Sequence, residues 1–295
     1  LKIQGSIIST GYRSTTRPTD VTKLDADDLL QGGSAVVIAG NVAGGVIFDI
    51  PPTLSTTDTD VDKDGLLDSS EGSAAILTYG SAAAVQVGSA TADTIIGAVT
   101  GDTSGYGLIV KGTIAGYGIY DGVAANGMVI GGLGGDVSIA KGISVNGAIA
   151  ALSYDSSATA LRLGSGASTG AIDISGTISA TGSSKADTAA RGVVIDAGAS
   201  VASMTVSGNV NAVALDTKNG TAIAIIDSSG TLSSLSNTGR ITATGGKDGA
   251  NIAIDLRANA TGITLTQALA SATATAPSIV GDIYLGSGND VVTLS

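Results

Sequence analysis

The 295-residue chain contains no cysteine, no histidine and no tryptophan, and its single phenylalanine is Phe48. The missing His and Cys exclude zinc, copper and haem centres of the usual kinds, together with thiol chemistry. They also remove the histidine base of the common hydrolytic triads. Basic residues are scarce as well: 14 Lys and Arg stand against 25 Asp and Glu, for a net charge of −11 and a pI near 4.2. The basic side chains are scattered, and a binder of phosphate backbones needs them clustered, so nucleic acid is not an expected partner. No uninterrupted apolar run reaches the roughly 20 residues of a membrane-spanning helix. The opening Leu1-Lys-Ile-Gln-Gly5 begins in mid-pattern and carries no secretion signal, so the chain reads as a mature fragment.

Glycine, at 44 residues, is abundant, and the 43 % hydrophobic content comes from Ala, Ile, Val and Leu. Such a composition suits an elongated core built from small and β-branched residues. Internal repetition gives that core its form. A unit of Gly, polar, Ile or Val, polar, Ala or Gly occurs at Gly40-Asn-Val42-Ala-Gly44, Gly112-Thr-Ile114-Ala-Gly116 and Gly147-Ala-Ile149-Ala. It returns at Gly176-Thr-Ile178-Ser-Ala180, Gly208-Asn-Val210-Asn-Ala212 and Gly239-Arg-Ile241-Thr-Ala243, at intervals of 29, 32 and 31 residues over the last four. A second aliphatic segment follows each unit, as in Gly192-Val-Val-Ile195 and Ala222-Ile-Ala-Ile-Ile226. A third precedes the next unit, as in Ala171-Ile-Asp-Ile174 and Met204-Thr-Val206.

Three short period-2 segments per repeat, separated by Gly, Asn, Asp and Ser turns, describe one coil of a right-handed parallel β-helix spanning residues 1–295. Alternation predicts Ile114, Ile178, Val210 and Ile241 inside, each stacked on its equivalent one coil away. No coil buries its apolar face alone, so neighbours must stack. Pro18, Pro51, Pro52 and Pro277 all fall outside the recurring strands, as a hydrogen-bond ladder requires. A βαβ fold would need amphipathic helices, and segments such as Val21–Leu30 and Thr266–Ser271 are too few and too short.

Two insertions break the period. Residues 12–33 form a polar excursion with an expected helical turn near Leu24–Leu30. Residues 51–72 leave after Pro51-Pro52 and carry Asp60-Val-Asp62-Lys-Asp64-Gly65-Leu-Leu-Asp68-Ser-Ser-Glu71, which fits the D-x-D-x-D-G-x5-E calcium loop at every ligand position. Glu71 is the only glutamate beside 24 aspartates. Such a loop needs one longer carboxylate to close the shell with both oxygens. The expected ligands are Asp60, Asp62, Asp64, the Leu66 carbonyl, Asp68 and Glu71, with Gly65 at the sharp turn, Lys63 solvated and Leu67 as the apolar anchor. The competing reading is a solvated acidic loop.

Other constellations read as structural. Gly286-Ser-Gly288-Asn-Asp290 is half of a nonapeptide calcium repeat and lacks a partner copy, so Asp290 is expected to cap a turn, with a second calcium site as the alternative. Gly131-Gly-Leu-Gly-Gly135 lacks the Lys-Ser/Thr of a phosphate loop and reads as a tight corner. Asp173, Asp196, Asp227 and Asp255 lie on or just after strands. They are expected to be solvated or turn-capping rather than an acid–base pair. Tyr106, Tyr117 and Tyr120 are expected to pack, and the sequons at Asn219 and Asn259 carry no weight.

The Gly-Thr-Ile-x-Ala coils, the order Phe48-Asp-Ile-Pro-Pro52, acidic loop, Gly131-Gly-Leu-Gly-Gly135, and the closing Gly281-Asp-Ile-Tyr-Leu-Gly286-Ser-Gly288-Asn-Asp290 resemble autotransporter passenger domains of alphaproteobacteria, of the sphingomonad and caulobacter type. The resemblance covers essentially the whole chain. It implies a secreted, outer-membrane-associated β-helical passenger, exported through its own C-terminal barrel, which this sequence does not show. The implied role is a calcium-stabilised stalk that displays loops or adheres to surface glycans or other cells, with no catalytic residues. The alternatives are a polysaccharide-active β-helical enzyme, which a cleft with two carboxylates and a basic residue would favour, and a self-assembling surface layer or filament.

Overall fold

Glycine-punctuated period-2 segments can bury their aliphatic faces only by stacking, and they do so here. The computed structural model, covering residues 1–295, coils the chain through three parallel sheets of 10, 8 and 8 strands. One coil passes through Ala167–Ile174 in the first sheet, Thr177–Gly182 in the second and Ala190–Ile195 in the third, then returns to the first at Ser200–Val206. Every strand pairing is parallel, and strands within each sheet pair with their equivalents in the coils before and after. A single apolar cluster of 52 buried residues fills the interior.

The second sheet shows why the repeat has its sequence. Ile7, Ile76, Ile114, Ile149, Ile178, Val210, Ile241 and Ile279 stand in one register column. From Ile76 to Ile241 these side chains are fully buried. The expected stack of Ile114, Ile178, Val210 and Ile241 is present, but the Gly40–Gly44 unit lies elsewhere. Val42 bridges Ile96, beside the first sheet. The missing members of the column are Ile7, Ile76 and Ile279. A Gly-x-Val pattern occurs in more than one sheet, so it does not by itself fix which face of the coil it occupies.

Two positions of the repeat are small for steric reasons. The unit's leading glycine immediately precedes the second-sheet strand in most coils, with Ala74 and Pro277 at the equivalent positions of two others, and between the glycines consecutive backbones nearly touch. A Cβ on Gly147, Gly176, Gly208 or Gly239 would lie 2.0–2.1 Å from a carbonyl oxygen of the glycine one coil earlier. Two residues beyond the buried Ile, the column Thr78, Gly116, Ala151, Ala180, Ala212, Ala243 faces the third sheet. At Gly116 an added Cβ would stand 2.1 Å from the Asn126 carbonyl oxygen. The second and third sheets converge there, and only small side chains fit.

Two of the larger polar residues of the interior, Asn237 and Asp227, have local partners, whereas the hydroxyls of buried Thr94 and Thr169 have none. Asn237 occupies the column of Val110, Val145, Ile174 and Val206. It donates to Gln267 Oε1 at 2.9 Å and to the Ser278 carbonyl at 3.3 Å, and accepts from Gly239 N. Buried Asp227, beside Ile195, accepts from the amides of Ser229, Gly230 and Leu232 and so closes its turn.

The first excursion leaves after Ser6–Thr10, contains 3-10 turns at Val21–Lys23 and Ala26–Leu29, and re-enters at Val36–Ile38. Tyrosines pin it. Tyr12 meets Tyr120 edge-on at 4.6 Å, Tyr120 Oη donates to the Ser14 carbonyl, and Arg17 pairs with Asp121 while lying 4.7 Å over the Tyr154 ring. Tyr117 stacks on Tyr79 at 5.3 Å, so Tyr117 and Tyr120 pack as expected. Tyr106 stands apart, under the Lys141 ammonium. Gly131, Gly132 and Gly134 all take positive φ at the corner after Ala125–Ile130, as a turn and not a phosphate loop.

Ile178→Ala is expected to cost about 3 kcal/mol in denaturant unfolding, because a fully buried aliphatic stack loses its volume between fixed coils. Ser179→Ala, facing outward from the same strand, is expected to stay within about 0.5 kcal/mol.

Candidate metal centre

The second excursion leaves the first sheet after Val46–Phe48 and rejoins the second at Ala75–Tyr79. Its base is tied to the first coil, with Gly5 N donating to the Gly72 carbonyl at 2.9 Å and Ala74 N to that of Asp49. Within it the acidic segment winds on its own carboxylates. Asp60 accepts from Asp64 N at 3.1 Å and Gly65 N at 3.3 Å, and Asp64 accepts from Leu66 N at 2.9 Å. Buried Asp68 takes Val61 N between its two oxygens at 3.1 and 3.2 Å, and its own amide donates to the Thr59 carbonyl. Lys63 (φ 59°) and Gly65 (φ 92°) make the left-handed turns that bring the alternate aspartates to one side.

Five of the six ligands expected from sequence converge as side chains. Asp60, Asp62 and Asp68 form one group, and Asp62, Asp64 and Glu71 a second, with oxygens inside each group within 4.8 Å of one another. Asp62 joins the two. The Leu66 side chain is exposed, and its carbonyl accepts no hydrogen bond and is free for a ligand. Leu67 departs from expectation. It is 55 % exposed and anchors nothing. The loop is held instead by Asp68 and by contacts with the first coil. Lys63 is exposed to solvent, as expected, and pairs with Asp58 at 2.6 Å.

Negative charge is in excess at this loop. Both Glu71 oxygens are shielded from water and have no hydrogen-bond donor. Desolvation, with Asp64 and Asp62 beside it, raises the Glu71 pKa above the ordinary glutamate value. The nearest cation is Lys2, whose Nζ lies 2.6 Å from Asp62 and 4.0 Å from both Asp64 and Asp49. Its hydrogen bond to Asp62 raises the lysine pKa and lowers that of Asp62. Two ammoniums, Lys2 and the Lys63 already paired with Asp58, cannot serve five carboxylates, so these residues could hold a metal ion. Hard oxygen donors with no nitrogen or sulfur suit a hard cation.

Beside the loop opens a cleft of about 650 Å³. Its polar lining includes Lys2, Asp49, Asp62, Asp64, Asp102 and Lys111, with Lys111 Nζ 3.0 Å from Asp49. Sequence reading missed this cleft, because Lys2, Asp49 and Asp102 come from three different coils or excursions.

Asp25, Asp27 and Asp28 form a third acidic group, in the first excursion, and four of the aspartates singled out in the sequence make structural contacts. Asp290 accepts from Ile263 N at 3.0 Å, capping a turn of the adjacent coil, and belongs to no three-carboxylate group. Asp196, Asp227 and Asp255 stand at successive register positions rather than in one column, since Asp255 pairs with Ile226 and Asp227 with Ile195. Asp196 pairs with Arg162 at 2.6 Å. Arg257 grips Asp255 through Nε at 2.9 Å and one terminal nitrogen at 2.6 Å, with its guanidinium over Tyr284. Asn259 is buried, donating to the Leu232 carbonyl, which takes its sequon out of solvent.

A search of family models, curated proteins and solved structures found no match for this chain.

Lys2→Met is expected to tighten cation binding about fivefold, the equivalent of about 1 kcal/mol for a partly exposed ion pair, as read by calcium titration calorimetry. Unchanged or weaker binding would show that Lys2 does not compete with the ion. Arg257 holds the Asp255 pKa below the ordinary carboxylate value. Asp255 therefore stabilises the fold above that range, and the contribution is lost as pH falls through the depressed value. Asp255→Asn is expected to flatten the acid limb of the melting-temperature profile.

Proposed function

We propose that this chain is a calcium-stabilised β-helical passenger displayed outside the cell, a rigid stalk whose excursions form its working surface. The observation that carries this reading is Glu71, a solvent-shielded carboxylate with no donor, set against Asp62 and Asp64 on a loop that projects from the solenoid. Calcium takes six to eight oxygens in flexible geometry, which matches carboxylates on a loop free to adjust. It is plentiful outside the cell, where a cysteine-free, acidic chain is also at home. The resemblance to alphaproteobacterial autotransporter passengers supplies the export route, and surface glycans or other cells are the proposed partners. The ion's role is mechanical, because the flanking segments are extended strand and 3-10 turn rather than a helix pair that could open.

A polysaccharide-active enzyme is the second reading. The cleft beside the loop favours it, since it lines carboxylates with two lysines. Against it, Asp62 holds Lys2 in the charged form, which is a poor base, and no aromatic residue lines the cleft. Turnover of acidic polysaccharides, measured with and without calcium, separates the two readings.

Calcium at about 100 times its Kd is expected to stabilise the folded loop by about 2.7 kcal/mol, seen as protease resistance between residues 51 and 72. A combined Asp60→Ala, Asp62→Ala and Asp64→Ala variant is expected to lose that protection while keeping the coil's circular dichroism. A wild-type chain cleaved equally fast in calcium and in chelator would refute the calcium assignment.

A further inference from the structure

On the outer face of the third sheet, well away from the acidic loop, lies a pocket of about 350 Å³. Its floor is Val194 and Ile226, neighbours in register on consecutive coils. Its walls carry Arg162, Arg191 and Asp196, with the hydroxyls of Thr159 and Ser228 at the margin. Thr159 pairs with Arg191, and Arg162 with Val194, so β-ladders fix all four backbones.

The two arginines differ. Arg162 donates from Nε to Asp196 at 2.6 Å. The Arg191 side chain makes neither an ion pair nor a hydrogen bond, although it is half-buried beside Arg162. Burial first, and then Arg162, push its pKa down, against a weaker opposing pull from Asp196. A chain with net charge −11 and only six arginines thus sets two of them together and leaves one without an ion-pair partner of its own. A partly desolvated, unpaired guanidinium is costly unless an anion completes it.

The surroundings narrow the anion. The guanidinium fork matches a planar carboxylate through two parallel hydrogen bonds. A doubly charged phosphate would meet the Asp196 carboxylate, whereas a singly charged ligand bearing hydroxyls can donate to it. Small aliphatic side chains on the floor suit a C–H face rather than an aromatic ring. We propose that this pocket binds a hydroxylated carboxylate of the uronic-acid type. Arg191 holds the carboxylate, Asp196 and Ser228 take hydroxyls, and the ring lies on Val194 and Ile226. This names a ligand class for the surface role proposed above, yet it rests on the pocket alone.

Ligand-observed NMR titration of the whole chain with glucuronate, acetate and glucose tests the assignment. Glucuronate is expected to bind tightest. Arg191→Gln is expected to weaken it about tenfold or more by removing a charge-assisted pair. Arg191→Lys, which keeps the charge but loses the fork, is expected to weaken it about threefold. Glucose or acetate binding as well as glucuronate would overturn the proposal, as would unchanged glucuronate binding by Arg191→Gln. The titration is run in calcium and in chelator, with equal affinity expected. A chain that binds glucuronate but ignores calcium refutes only the calcium reading, and the converse refutes only the pocket.

Discussion

The close approach of consecutive coils is the constraint on which the rest of the molecule depends. Parallel pairing fixes the spacing between coils, and the leading glycines let the backbones come within a contact that no Cβ would permit. Once those glycines stack, each coil inherits its neighbour's register, and the Ile and Ala columns fall in line behind them. Interior aliphatics then meet copies of themselves along a core that grows by length rather than by width. This explains how a chain almost without aromatics builds a continuous interior.

A solenoid of this kind leaves little freedom inside and much outside. Inward positions tolerate only residues that fit their column, and two large polar exceptions, Asn237 and Asp227, are answered locally by hydrogen bonds. Variation is consequently pushed to the turns, the excursions and the outward columns. The acidic loop, the tyrosine-pinned excursion and the arginine pocket all occupy such places. They share one scaffold without sharing residues, so each can be altered without disturbing the others.

Electrostatics distinguishes the two polar sites. At the loop, carboxylates exceed the available cations, and Lys2 partly neutralises a cluster that still includes an unpartnered Glu71. At the third-sheet pocket the imbalance is reversed in a chain that is otherwise acidic. Paired charges elsewhere, such as Asp255 with Arg257, leave nothing for a ligand to complete.

Much of this was legible in the sequence. The thirty-residue period, the inward Ile and Val positions, the prolines outside the strands and the gathering of carboxylates between Asp60 and Glu71 follow from local patterns, because alternation and the spacing of those acids are properties of contiguous residues. Coil membership was less legible. The Gly40–Gly44 unit carries the right letters in the wrong sheet, while Ile7 and Ile76 fill the column without the full motif. The exposure of Leu67, the reach of Lys2 to Asp62 across 60 residues and the meeting of Arg162 with Arg191 were decided only by the tertiary structure. Each depends on which coils become neighbours and on where an excursion folds back, and both are settled by stacking between segments remote in sequence.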